Sequence, residues 1–86
     1  MKTIKLRKPT TWIENGSETR VTEVTLREPT AQDLWDFVFG ENKSVGQLLE
    51  IASRISDYPP PFFQKIGAKD AIDICDAVSD FLISGD

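Results

Sequence analysis

The side-chain period changes once along this chain, at Glu28-Pro29-Thr30, and that change limits what each half can become. Before it, apolar and polar residues alternate. Ile4 and Leu6 alternate with Lys5 and Arg7, and Thr22, Val24 and Leu26 alternate with Glu23, Thr25 and Arg27. A period of two with dense β-branching is the pattern of half-buried strands. Glu14-Asn15-Gly16-Ser17 supplies a strong turn signal between them. The pattern predicts a β-hairpin, roughly 2–13 with 18–27. Charge divides at the same place. Residues 1–28 carry six basic and four acidic side chains, and residues 29–86 carry four and ten.

The hairpin's register carries a sharper expectation. A two-residue Asn15-Gly16 loop pairs Glu14 with Ser17, so opposed residue numbers sum to an odd value. Ile4 and Leu6 would then face away from Val24 and Leu26, because a one-residue slip flips a strand's whole apolar set. The hairpin must therefore contain a bulge or an odd-length loop. Pro9, which has no N–H to donate, marks the place for it. A lone two-stranded hairpin is marginal in water, so it must pack on the rest of the chain or pair with another copy.

After Thr30 the period becomes helical. Thr30 can cap a short helix near 31–39, with Asp33 in the position of the capping-box acid and Gly40 as its stop. Ser44 can cap a second helix near 45–56, whose apolar positions Val45, Leu48, Leu49, Ala52 and Ile55 follow the helical spacing. Tyr58-Pro59-Pro60-Pro61 predicts an extended path that breaks any helix entering it. Phe62 and Phe63 then begin a short turn ending at Gly67. The clearest helix is 68–83, with Ala71, Ile74, Cys75, Val78, Phe81 and Leu82 on one stripe. The fold class is α+β. One domain over 1–86 carries a hairpin (1–28) and a helical part (29–86) of three to four short α-helices forming a small bundle.

Composition removes most chemistry. There is no His, which excludes the commonest general base and metal ligand along with Ser-His and Cys-His nucleophiles. The single Cys75 can form neither an internal disulfide nor a thiolate zinc site. It fits a reducing cytosol, or an oxidising site in which it is buried. A net charge of −4 argues against general nucleic-acid binding, which needs a basic face. No apolar run approaches the roughly 18 residues of a membrane span, and the basic N-terminus lacks the apolar stretch of a signal peptide. No catalytic residue, cofactor or metal is expected.

Two groups of residues invite a functional reading. Asp70, Asp73, Asp76 and Asp80 share one helical face. A solvated face is the simple explanation, since a straight helix offers none of the geometry of a Ca²⁺ loop. A docking surface for a basic partner is the alternative. The aromatic residues Trp35, Phe37, Phe39, Tyr58, Phe62 and Phe63 form the second group, with Trp12 beside the hairpin turn. Adjacent Phe62 and Phe63 cannot both face one core from a regular element. Either both rings fold over the helices, or one is exposed as an anchor for a protein partner. Trp35 and Phe39 raise the same question for the first helix. The Asp33/Asp36 pair near Glu28 is explained by capping and solvation. On residues alone, the chain reads as a protein-binding module.

The order of features adds a family. Val24-Thr25-Leu26-Arg27-Glu28-Pro29-Thr30 ends the hairpin, and Asp33-Leu34 follow on a helix. Lys69-Asp70-Ala71-Ile72 then leads to Val78-Ser79-Asp80-Phe81-Leu82. This resembles the tail assembly chaperone family of contractile-tailed phages, the E/41/14 type of P2-like and Mu-like phages and prophages. The Pro59-Pro60-Pro61 segment is less typical of it. The resemblance implies a non-catalytic role in the bacterial host cytoplasm. Such a protein binds the long helical tape measure protein and keeps it soluble before the tail tube polymerises around it. It also implies that a longer, frameshifted form recruits the tail tube protein. The competing reading is a small acidic regulator that occupies a basic, nucleic-acid-binding surface of a protein partner. A pairing of copies into a homo-oligomer stays open.

Overall fold

A computed structural model describes residues 1–35 and 44–84 of the chain. The elements follow the order β1 (Lys2–Glu14), β2 (Ser17–Leu26), α1 (Val45–Ile55), α2 (Pro60–Lys65) and α3 (Ala68–Ser84). The strands form one antiparallel hairpin, and three helices among the described residues complete the α+β fold.

The hairpin turns at Asn15 and Gly16, both with positive φ (53° and 79°). This is the turn whose twist matches the flanking strands. Near it the register is that of a two-residue loop, with Glu14 opposite Ser17 and Thr10 opposite Val21. At the open end Lys5 opposes Glu23 and Ile4 opposes Val24. Between the two registers β1 runs through Leu6 to Pro9 while β2 passes only Thr22. The expected bulge therefore exists, and it includes Pro9. It brings Ile4 and Leu6 to the same face as Val24 and Leu26, the last two being wholly buried.

Residues 31–35 do not form the helix that their spacing predicts. They make successive turns closed by three-residue bonds: Asp33 N–H to Thr30 C=O, Leu34 to Ala31 and Trp35 to Gln32, at 3.1–3.2 Å. Side chains hold these turns in place of a four-residue ladder. The Asp33 carboxylate takes both the N–H and the hydroxyl of Thr30, and the Asp33 carbonyl accepts from the Arg54 guanidinium at 2.9 Å. The remainder of that predicted helix, with Asp36, Phe37, Phe39 and the Gly40 stop, lies outside the described residues.

α1 begins as expected at Ser44, whose hydroxyl accepts from Gln47 N–H while the Gln47 side chain accepts from Ser44 N–H. Its inward face is Leu48, Ile51, Ala52 and Ile55, so the buried stripe is rotated away from Val45 and towards Ile51. The proline run also departs from expectation. Only Pro59 is extended; Pro60 and Pro61 open α2. A helix's first turn needs no intrahelical N–H, and proline's fixed φ suits it, so prolines start this helix. α3 then runs one residue past its expected end.

Phe62 and Phe63 are both buried, at 0% and 2% exposed. Of the two alternatives the sequence left open, the first holds: both rings fold inward, and neither is an exposed anchor. α2 is wedged between two surfaces, so neighbouring positions find separate walls. Phe62 meets Trp12 of the hairpin edge-on at 5.7 Å and stacks on Tyr58 at 4.3 Å. Phe63 meets Phe62 edge-on at 5.2 Å and lines a cleft with Leu49 of α1. Leu26, Ile55, Ile74 and Val78 close the core around them. Replacing Phe62 by Ala should cost about 3–5 kcal/mol of unfolding free energy. Urea unfolding would measure it, and a loss below about 1 kcal/mol would mean that the ring is not the centre of the core.

Candidate functional site

The acidic face of α3 is built into the hairpin. Asp70 is 1% exposed, and its two oxygens accept from the backbone N–H groups of Arg7 (2.7 Å) and Lys8 (3.1 Å). Both donors lie in the β1 bulge, where no residue of β2 stands opposite them. One turn on, Asp73 pairs with the Arg7 guanidinium at 3.1 Å, and further along Asp80 pairs with Lys2 at 3.0 Å. Asp70, Asp73 and Asp80 thus face the basic strand, which corrects the expectation of a wholly solvated row. Asp76 is exposed beside them. The two ion pairs lie at the surface and contribute little, whereas the buried Asp70 contacts satisfy donors that water reaches poorly.

A second cluster joins the hairpin to α1. The Arg27 guanidinium binds both oxygens of Asp33, at 2.7 and 2.9 Å, and also the Arg54 carbonyl at 2.9 Å. The Arg27 N–H donates to the Ile55 carbonyl at the end of α1. The Arg27 hydrogen bonds, followed by those from Thr30, hold the Asp33 carboxyl well below the usual aspartate range. Asp33 makes the capping-box bond to Thr30 N–H that its position predicts, and its ion pair with Arg27 also clamps the 30–35 turn.

That clamp presents Trp35, which is 80% exposed. Of the other aromatic candidates, Tyr58 is half-buried on Phe62, and Phe62 and Phe63 lie inside. Trp12 is half-buried against Phe62 with the Lys65 ammonium 5.7 Å from its ring centroid. Phe39 lies outside the described residues. Cys75 is buried, and its thiol is pushed up by burial and then by the charge of Asp76, which opposes a reactive thiolate.

A small cleft of about 250 Å³ opens between α1 and α2, lined by Gly46, Leu49, Pro60 and Phe63. Val45, half-exposed at 49%, stands one turn before Leu49 on α1. The sequence carried a signal for it: Val45 and Leu49 lie at one edge of the α1 stripe, four residues apart. Among the described residues, no helix is long and apolar enough to cross a membrane.

Asp70→Ala leaves two partly buried N–H groups without an acceptor and should cost about 2–4 kcal/mol, with Asp70→Asn costing less because one oxygen remains. Thermal unfolding of the two variants would measure this, and equal losses would show that only the charge matters. Because the Asp33 carboxyl is depressed in the folded state, its contribution is complete above about pH 4 and fades as pH falls further. The stability gap between the wild-type chain and Asp33→Asn should be constant near neutrality and narrow in acid. A gap that widens in acid would contradict the clamp.

The comparisons with known proteins bear on the whole arrangement. No curated protein and no solved structure matches the chain. A family model described as phage tail assembly chaperone proteins, E, or 41 or 14, matches residues 3–83. The match runs from the first strand to the last turn of α3, so it covers the hairpin, the Arg27–Asp33 clamp and the helices together. The chain belongs to this family of phage tail assembly chaperone proteins.

Proposed function

We propose that this tail assembly chaperone binds the tape measure protein and keeps it soluble in the cytoplasm of the bacterial host while the tail is built, with the tail tube protein as a second partner. The observation that carries this reading is Trp35, 80% exposed on a turn clamped by Arg27 and Asp33. The Arg27–Asp33 pair fixes the turn that precedes Trp35, so a partner that covers the ring has less backbone to order, which suits an interface anchor. The cleft beside Leu49 and Phe63 offers a second apolar contact. A long helix with exposed apolar stripes presents side chains at i, i+3 and i+4 that suit such contacts. The work is binding, with no bond made or broken. The net charge of −4 favours solubility of a coated complex.

Occupation of a basic, nucleic-acid-binding surface has less support. It requires a free acidic face, and Asp70, Asp73 and Asp80 already face Arg7, Lys8 and Lys2.

Co-expression with the tape measure protein of the same phage should carry that protein into the soluble fraction. The complex should survive high salt, since apolar contacts are not screened. Trp35→Ala should weaken it by about 2 kcal/mol or more while leaving unfolding stability within about 0.5 kcal/mol. A tape measure protein that stays insoluble beside the wild-type chain would overturn the proposal.

A further inference from the structure

The inner and outer sides of α3 divide sharply. Ile74, Ala77, Val78 and Phe81 face the core, and Ile72 stands on the opposite ridge at 53% exposed. Ala68, four residues before it, and Ser79, seven after it, share that ridge. One exposed apolar side chain on a small domain is ordinary. What distinguishes Ile72 is the arrangement on either side of it.

One flank is charged. Lys69 lies three residues before Ile72 and Asp76 four after it, which sets both on the same side of the ridge. Both are exposed. Among the described residues neither makes an ion pair or a hydrogen bond, whereas Asp70, Asp73 and Asp80 are committed to β1. The other flank is apolar. Ala68 and Cys75 lie on it, and the Cys75 thiol approaches the Val45 carbonyl at 3.9 Å. The start of α1 therefore adjoins this flank, with Val45 half-exposed at 49%.

We propose that this ridge of α3 packs antiparallel against the same ridge of a second copy, with Ile72 on the two-fold axis. Such an axis reverses the helix direction and keeps each flank opposite itself. Lys69 lies about 4.5 Å before the axis and Asp76 about 6 Å after it, at 1.5 Å of rise per residue. Lys69 of each copy therefore meets Asp76 of the other, and the symmetry makes that ion pair twice. On the apolar flank Val45 meets Ala68 of the second copy. The two Ile72 side chains meet in the middle.

Self-complementarity selects the occupant. A basic residue before the central isoleucine and an acidic one after it, on one flank, form a pattern that is its own partner when reversed. A parallel pair would set Lys69 against Ala68 and Asp76 against Val45, and brings no opposite charges together. The overall repulsion between copies of charge −4 is screened beyond about 8 Å at physiological ionic strength, while the paired ends meet in contact. Two helix ridges bury less than the roughly 1,600 Å² of a standard interface, so the dimer is weak, with a dissociation constant of about 10 µM to 1 mM. The pairing is independent of the tape measure reading, and no tail protein enters its test.

Sedimentation equilibrium of the full chain, from about 1 µM to 1 mM, tests it. The wild-type chain should pass from monomer to dimer over that range, and Ile72→Asp should stay monomeric. Lys69→Glu and Asp76→Lys each set like charges across the axis, so each alone should weaken self-association about tenfold or more. Mixed in equal amounts, the two variants restore both opposite-charge pairs in a mixed dimer, whose affinity should return to within about threefold of the wild type. Both positions are exposed, so thermal unfolding of each variant should match that of the wild type. Recovery on mixing is the decisive result, because a general loss of fold or solubility cannot produce it. A wild-type chain that stays monomeric at every concentration overturns the proposal. So does a dimer that the single variants leave unchanged, or one that mixing fails to restore, since either places the contact on another face.

Discussion

Two backbone N–H groups in the β1 bulge have no strand to bond, and the buried Asp70 carboxylate takes both. The hairpin could not otherwise have its present form. A two-residue turn sets one register, the apolar residues at the open end require another, and only extra residues on β1 reconcile them. Those residues expose donors to a partly buried setting, where an unmet N–H costs about 1–3 kcal/mol. Asp70 meets that cost and ties β1 to α3 in the same contact. The basic character of β1 and the acidic face of α3 then lie opposite one another. Asp73 and Asp80 extend the match outward from Asp70 towards solvent.

Much of this could be read in the sequence because it depends on period and parity. The bulge follows from the positions of Ile4, Leu6, Val24 and Leu26 relative to Asn15-Gly16, and α3 follows from its apolar stripe. The residues that resisted reading depend on what lies across a tertiary contact. An aspartate row looks solvated until a partner strand with unmet donors is placed against it. Tyr58-Pro59-Pro60-Pro61 looks extended because prolines break helices from within, yet Pro60 and Pro61 stand where a helix has no bond to break. Phe62 and Phe63 left two readings open, and the choice between them depends on a short helix wedged between two surfaces, which lets both rings turn inward. The 31–35 segment has helical spacing, but the Arg54 guanidinium takes the Asp33 carbonyl, a group that a four-residue ladder would use.

The same economy explains why the functional surface lies outside the core. A chain of 86 residues buries only a modest fraction of its surface, and here Phe62, Leu26, Ile55, Ile74 and Val78 fill the interior. A phage tail assembly chaperone of this size has its surface to act through, and among the described residues Trp35 and the cleft beside Leu49 and Phe63 are apolar surface that the internal contacts leave uncovered. Trp35 is exposed because Asp33 turns inward to Arg27. The cleft lies where α1 and α2 diverge past Gly46 and Pro60.

These two features ask different things of a partner. Trp35 stands out from the domain and meets apolar surface on another molecule, whereas the cleft between α1 and α2 takes an apolar side chain into it. Each contact is small, so each is weak alone. Two weak contacts carried by one domain raise the effective concentration of the second once the first has formed. Displacing either contact then frees the partner, which is how a binding protein without chemistry both holds and releases what it covers.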